Sequence, residues 1–171
     1  MSRVVASSRL QNPPTLIEIE KSKLRFLIMD APTNENLSLY LDATKGLDVR
    51  QWVRCCEMCS YDEARVAALG IRVHDMNFPD GEAPPQALIA RWLDLCFSAE
   101  CTIAVHCVAG LGRAPLLVAI ALLESGMPWE DVVDLIRRKR RGAINRVQLK
   151  YVQEYKPTRK KSGGGGGCLL M

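Results

Sequence analysis

A cysteine and an arginine six positions apart, in His106-Cys107-Val108-Ala109-Gly110-Leu111-Gly112-Arg113, are the residues of this chain best suited to chemistry. The residues before them, 101–106, read as a short buried strand, and those after them, from Pro115 to Glu124, as a mostly buried helix. Gly110 and Gly112 permit a tight curl between the two, and Pro115 suits a first helical turn, where an N–H would be unpaired anyway. The backbone N–H groups of Val108, Ala109, Gly110, Leu111, Gly112 and Arg113 then converge at a helix N-terminus, where unpaired donors and the positive end of the dipole favour an anion. Arg113 adds a planar fork of donors that matches two phosphate oxygens, a geometry lysine does not reproduce. A thiol in such a field ionises well below its free value of ~8.5, so the segment predicts an in-line thiolate nucleophile under a bound phosphate. The competing reading is a structural cysteine beside a tight turn. Packing alone does not ask for Arg113, two glycines and a helix start together, whereas phosphate capture uses all of them.

Cleaving a phosphate ester also requires a proton for the departing oxygen. Asp80 is the candidate acid, 27 positions before Cys107 in a loop marked by Pro79, Gly81, Pro84 and Pro85. Asp75, at the end of the strand-like stretch 71–75, is the second choice, and Glu82 is a third carboxylate on the same loop.

These residues need a scaffold, and hydrophobic patterning supplies one. Strands are predicted near 15–20, 23–29, 49–55, 71–75 and 102–106, and helices near 36–45, 61–69, 85–98, 115–125, 129–141 and 146–155. Ser60 to Glu63 reads as a capping box with Gly70 as the stop, and Asn145 with Gln148 as a second box. Alternating strands and helices imply a single α/β domain. Its expected bounds are 13–156, between an amino-terminal tail (1–12) and a basic, glycine-rich tail (157–171). The 171 residues, 48% hydrophobic and 25% charged, suit one such domain. Neither a signal-peptide pattern nor a run of eighteen apolar residues is present.

The carboxyl end carries an independent signal. Cys168-Leu169-Leu170-Met171 fits a prenylation box whose methionine favours farnesyl. Lys156, Arg159, Lys160 and Lys161 form a basic cluster joined to it by Ser162 and five glycines. A lipid and a basic patch together anchor where either alone does not, and the seven steps from Lys161 to Cys168 span at most roughly 25 Å. The expected location is therefore the cytoplasmic face of the plasma membrane and endomembranes, with the unprenylated chain in the cytosol. Residues 137–161 hold eleven Lys and Arg against one acid, Glu154, so they carry +10 of a chain balance of +4 and leave −6 elsewhere. An anionic surface suits this asymmetry, although Arg137 to Arg141 also complement a helix C-terminus. Nucleic acid fits less well, because no aromatic interleaving or binding module accompanies the charge.

The chain resembles the phosphatases of regenerating liver (PRL), the prenylated branch of the dual-specificity-like protein tyrosine phosphatases. The resemblance is carried by Leu24 to Ile28 with Pro32-Thr33-Asn34, Val53 to Glu57 with Tyr61-Asp62, Phe78 to Pro85, His106 to Pro115, Glu124 to Met127 and Ile136 to Asn145. It implies a mostly parallel five-stranded sheet flanked by helices, with Cys107 as nucleophile, Arg113 as phosphate ligand and Asp80 as general acid. It also implies that Cys56 can form a disulfide with the nucleophile, which would keep Cys107 from irreversible oxidation; Cys55 and Cys59 are neighbouring alternatives. Most relatives with this loop carry a hydroxyl after the arginine that helps water attack the phosphocysteine. Ala114 supplies only a methyl, implying a long-lived phosphoenzyme and slow turnover. Where the family has Trp-Pro-Phe-Asp-Asp-Gly-Ala, this chain has Met76 to Ala83 with one extra residue, Glu82.

The expected substrates are phosphoproteins or phosphoinositides, with Phe78, Leu111 and Ala109 offering an apolar rim. Family members also bind cytosolic domains of cyclin M-type magnesium transporters and self-associate, so a binding module whose loop grips a partner's acidic side chain is the alternative function. No cofactor is called for. Cys56 and Cys59 have Cys-x-x-Cys spacing, but no second pair exists and His74 and His106 are the only imidazoles, so zinc is poorly supplied. Free structural thiols are favoured over redox exchange with Cys107, and metal comes last. Seven cysteines without an export signal argue for thiols rather than a disulfide framework.

Overall fold

Leu24–Met29 and Thr102–His106 are apolar on both faces, the pattern of strands covered by helices on either side. The computed structural model describes residues 10–159 and places these strands, β2 (Leu24–Met29) and β5 (Thr102–His106), at the centre of a five-stranded sheet. With β1 (Thr15–Ile19), β3 (Val49–Arg54) and β4 (Arg72–Asp75) the order is β1-β2-β5-β3-β4; only the β1–β2 pair is antiparallel. The mostly parallel α/β sheet expected from the sequence is therefore present. The two edge strands, β1 and β4, are the more exposed.

Period-two alternation divides the core. Phe26 and Ile28 face one side with Ile103, Val105 and Val53, where α3 (Gln86–Ser98), α4 (Arg113–Glu124), α5 (Trp129–Lys139) and α6 (Arg146–Glu154) pack. Leu27, Met29, Ala104 and Trp52 face the other, under α1 (Leu37–Thr44) and α2 (Glu63–Ala67). All twelve residues of α4 are buried, as befits a helix apolar on every side at the middle of a layer. Trp92 of α3 packs on Phe26 and donates from Nε1 to the Leu117 carbonyl at 2.7 Å, tying α3 to α4. No helix among the described residues is long and apolar enough to cross a membrane.

Three local expectations are corrected. Helix α4 starts at Arg113, so Pro115 is its third residue, still within the turn whose N–H groups lack partners. Ser60 does not cap α2: its Oγ donates to the Pro32 carbonyl, Asp62 accepts from Ala64 N at 2.9 Å, and Glu63 is drawn to Arg54. A carboxylate one residue from the helix outcompetes a hydroxyl already engaged elsewhere. Helix α5 stops at Lys139, so Arg140 and Arg141 lie beyond it. The Asn145–Gln148 box forms as read, and Gly70 adopts φ +75° just after α2.

The described chain ends under a fixed clamp. Glu124, the last residue of α4, accepts from Tyr155 Oη at 2.8 Å, Thr158 N at 2.8 Å, Thr158 Oγ1 at 3.1 Å and Arg159 N at 2.9 Å. Burial opposes ionisation of Glu124, but these donors hold its carboxyl below the ordinary value. Arg159 lies 4.0 Å above the Phe97 ring. Leu10, at the other end, is buried in the α1/α2 core.

Trp92→Ala should lower the unfolding free energy by about 3–5 kcal/mol in urea titration, since it removes a fully buried indole and the bond between two helices.

Candidate active site

The parallel strands end together. Met29 and Arg54 are both in register with His106, so the 107–113 loop leaves the sheet from the middle of its carboxyl edge. Residues outside the loop hold its carbonyls: Ala31 N donates to Val108 O at 3.0 Å, Ile144 N to Leu111 O at 2.9 Å and Arg140 Nε to Gly110 O at 2.6 Å. Among the described residues, no backbone N–H from Val108 to Arg113 donates to a protein acceptor. This leaves a curl of free donors at the N-terminus of α4, the arrangement that receives an anion. Gly110 makes the curl with φ +66°, and a Cβ there would lie 2.5 Å from both the Met29 carbonyl oxygen and Arg140 Nη2.

Cys107 is buried at the start of this loop. Arg113, 6% exposed, donates from Nη1 to the Phe78 carbonyl at 3.2 Å, while its Nε has no hydrogen-bond partner and stands 3.6 Å from Asp80 Oδ1. Asp80 is thus the carboxylate brought to the loop. Asp75 is instead committed to Arg54 at 2.5 Å, and Glu82 is exposed. A cleft of roughly 370 Å³ opens here, lined by Ala31, Cys56, Glu57, Met58, Ser60, Asp80, Val108 and Arg113. Phe78 is not on its rim as expected: it is 2% exposed and packs in the α3/α4 core, because only its backbone faces Arg113. Val108 and Met58, 64% and 80% exposed, supply the apolar edge instead. A larger cleft of roughly 700 Å³ between the β1–β2 hairpin and the end of α3 contains none of the loop residues.

The three clustered cysteines differ in setting. Burial pushes the thiols of Cys55 and Cys56 above the ordinary value; the charge of Cys107 adds to this in both, and Arg113 opposes it. Cys56 lines the cleft, whereas Cys59 is exposed and bonds to the Tyr61 carbonyl at 3.0 Å. The six described cysteines are free thiols, and no group of potential ligands for a metal ion occurs among the described residues. Cys168 lies outside the described residues.

His106, directly before Cys107, is fully buried and its imidazole is pushed down to about 4, mainly by desolvation. Trp52 Nε1 donates to Tyr61 Oη at 2.9 Å, so the Tyr61 proton is directed to His106 Nε2 at 2.8 Å. The neutral ring is thereby assigned its proton on Nδ1, which lies 3.9 Å from Cys56 Sγ.

Sequence reading missed three contributors: Tyr61 as partner to His106, Gln148 beside Gly112, and Arg140. In sequence Arg140 reads as part of a basic surface, yet it is 5% exposed and donates to Gly110 O, Pro13 O and Thr15 Oγ1. The available signal was spacing, since Arg140 follows buried Val132, Val133 and Ile136 on the inward face of α5. Arg137 is likewise engaged with the Ala143 and Ile144 carbonyls.

Fold and comparison with known proteins together place the chain among the protein tyrosine phosphatases. A solved structure from Leishmania major assigned as a protein tyrosine phosphatase superposes with TM-score 0.74 at 40% identity, over 84% of this chain and 98% of that one. Mouse protein tyrosine phosphatase type IVA 2 is 48% identical over 85% of this chain and 90% of its own. A Dictyostelium discoideum protein assigned to type IVA A is 46% identical over 96% of this chain and 97% of its own. No family model matches. The chain belongs to the type IVA, or PRL, family of protein tyrosine phosphatases.

Gly110→Ala should destabilise the fold by about 2–4 kcal/mol and abolish phosphatase activity, because both the positive φ and the contact with the Met29 carbonyl forbid a side chain. Stability should also fall by roughly 3 kcal/mol as pH drops from 6.5 to 4, the window between the unfolded and folded values of His106. There the unfolded chain binds the proton and the folded one does not. Urea titrations across this range should show the slope flattened in His106→Asn.

Proposed function

We propose that this phosphatase uses Cys107 as nucleophile, Arg113 as phosphate ligand and Asp80 as general acid, and that it turns over slowly at a membrane surface. The observation that carries the reading is the curl of unpaired N–H groups around the buried Cys107 with Arg113 beside it. Phosphate oxygens in that curl would take hydrogen bonds from the backbone and from Arg113, leaving phosphorus above Sγ. The thiolate attacks in line, the P–O bond to the leaving group breaks, and Asp80 delivers its proton to the departing oxygen. Water then attacks phosphorus, giving a proton to the Asp80 carboxylate as the S–P bond breaks, which releases phosphate and restores the Cys107 thiolate and the Asp80 acid.

Slow release is supported by Ala114, which follows Arg113 and is fully buried. A methyl neither donates to nor accepts from an attacking water. The exposed apolar edge of Val108 and Met58 suits an aryl phosphate, and a phosphoinositide is an alternative substrate if the tail holds the enzyme at lipid. Membrane attachment through farnesylated Cys168 and the basic residues from Lys156 to Lys161 rests on sequence. The second reading, a binding module that grips a carboxylate of a cyclin M-type transporter or another copy of the chain, is favoured by the same Ala114 and exposed Met58 and Val108. In it, phosphorylation of Cys107 switches binding off.

Intact-protein mass spectrometry after mixing with a small aryl phosphate tests the chemistry. A phosphate adduct lost in Cys107→Ser, lasting minutes or longer and shortened at least tenfold by Ala114→Ser, is the expected result. No adduct would remove the nucleophile assignment, and decay within seconds would remove slow turnover. Asp80→Ala should slow adduct formation about 10²-fold or more while leaving binding through the loop intact.

A further inference from the structure

The connection from α5 to α6 turns on two left-handed residues, Gly142 at φ +86° and Ile144 at φ +62°. Glycine takes that conformation freely, but a β-branched side chain is crowded in it and needs surroundings that over-determine the backbone. Ile144 is held from three sides. Its side chain is 2% exposed in the α3–α6 core, its N–H donates to the Leu111 carbonyl at 2.9 Å, and Arg137 Nη2 donates to its carbonyl at 2.7 Å. Arg137 Nε donates to the preceding carbonyl, that of Ala143, at 3.2 Å. One guanidinium therefore fixes the peptide planes on both sides of the Ile144 Cα, and with them the strained conformation.

The effect of that conformation is felt at Leu111. A trans peptide points its C=O and N–H in opposite directions. A Leu111 carbonyl turned out toward Ile144 thus turns the Gly112 N–H into the curl, where it has no protein acceptor among the described residues. We propose that Arg137 is a positioning residue for phosphate binding: it keeps Ile144 left-handed, Ile144 holds the Leu111 carbonyl outward, and the Gly112 N–H is left facing the anion. This rests on the reading of the 107–113 loop as the phosphate site. Arg137 itself stands outside that site, exposed on α5 and absent from the walls of the cleft at Cys107.

The test is competition of orthovanadate, a phosphate-like oxyanion, with 4-nitrophenyl phosphate, read beside urea unfolding of the same variants. Arg137→Met should raise the vanadate inhibition constant about tenfold and lower kcat/KM by a similar factor. Arg137→Lys keeps the charge but not the planar fork, and should still lose roughly threefold or more. Full recovery in the lysine variant would mean that Arg137 acts by charge alone and would overturn the positioning role, as would lost stability with an unchanged inhibition constant. In Ile144→Gly, where a positive φ carries no strain, adding Arg137→Met should cost less than about threefold further. A full additional tenfold would show that Arg137 does not act through Ile144. The two Arg137 variants change an exposed side chain, so they decide the matter even where Ile144→Gly does not fold. If vanadate fails to compete with substrate in the unaltered enzyme, the phosphate reading of the loop falls first and the role of Arg137 with it, a pattern distinct from failure of Arg137 alone.

Discussion

One buried cation holds the 107–113 loop in shape. Arg140 sends Nε to the Gly110 carbonyl and Nη1 to the Pro13 carbonyl, Thr15 Oγ1 and the Ile28 carbonyl, so a single guanidinium joins the amino-terminal segment, both strands of the hairpin and the loop. Burial pulls its pKa down, while Asp30, Cys107 and Tyr40 pull it back up. A guanidinium remains charged under such treatment where a lysine would shed its proton. Removing it would strand several carbonyls away from water and release the loop residue that has φ +66°. Gly110 and Arg140 are thus two halves of one constraint: the glycine lets the backbone approach, and the arginine pays out the donors that hold it there.

Beneath the loop, the Trp52–Tyr61–His106 row performs the complementary task. Edge-to-face rings with centroids 5.5 to 6.1 Å apart fix the imidazole sideways, and the hydrogen bonds through Tyr61 fix its tautomer. Because this histidine is neutral, the positive field at the loop comes from Arg113, Arg140 and the end of α4. The floor is rigid and uncharged, and the charge sits at the sides.

Much of this arrangement was legible in the sequence because it is local. The curl from Cys107 to Arg113 declares itself through glycine placement and a helix start, and the double-faced burial of β2 and β5 shows as unbroken apolar runs. The Asn145–Gln148 cap was visible as a spacing. What could not be read is contact across the fold. Arg140 looks like its neighbours in a basic run until the 127 positions separating it from Pro13 are closed by topology. Phe78 reads as a rim residue from its place beside Asp80, yet its ring turns inward because α3 and α4 leave an apolar space there. Ser60 matched a capping pattern, but Pro32, distant in sequence, supplied a carbonyl that claimed its hydroxyl. Asp75, the second choice at the end of β4, is removed from the contest by Arg54, an ion pair between strands that the sequence does not display.

Helix α4 joins two ends that are otherwise unrelated. Its first residue, Arg113, closes the 107–113 loop, and its last, Glu124, grips Thr158 and Arg159. Twelve residues at 1.5 Å each make a rod of roughly 18 Å, buried along its whole length and so unable to bend independently of the core. The two ends of the helix are therefore held a fixed distance apart, so the Glu124 grip on Thr158 and Arg159 sets where the chain at Arg159 stands relative to Arg113.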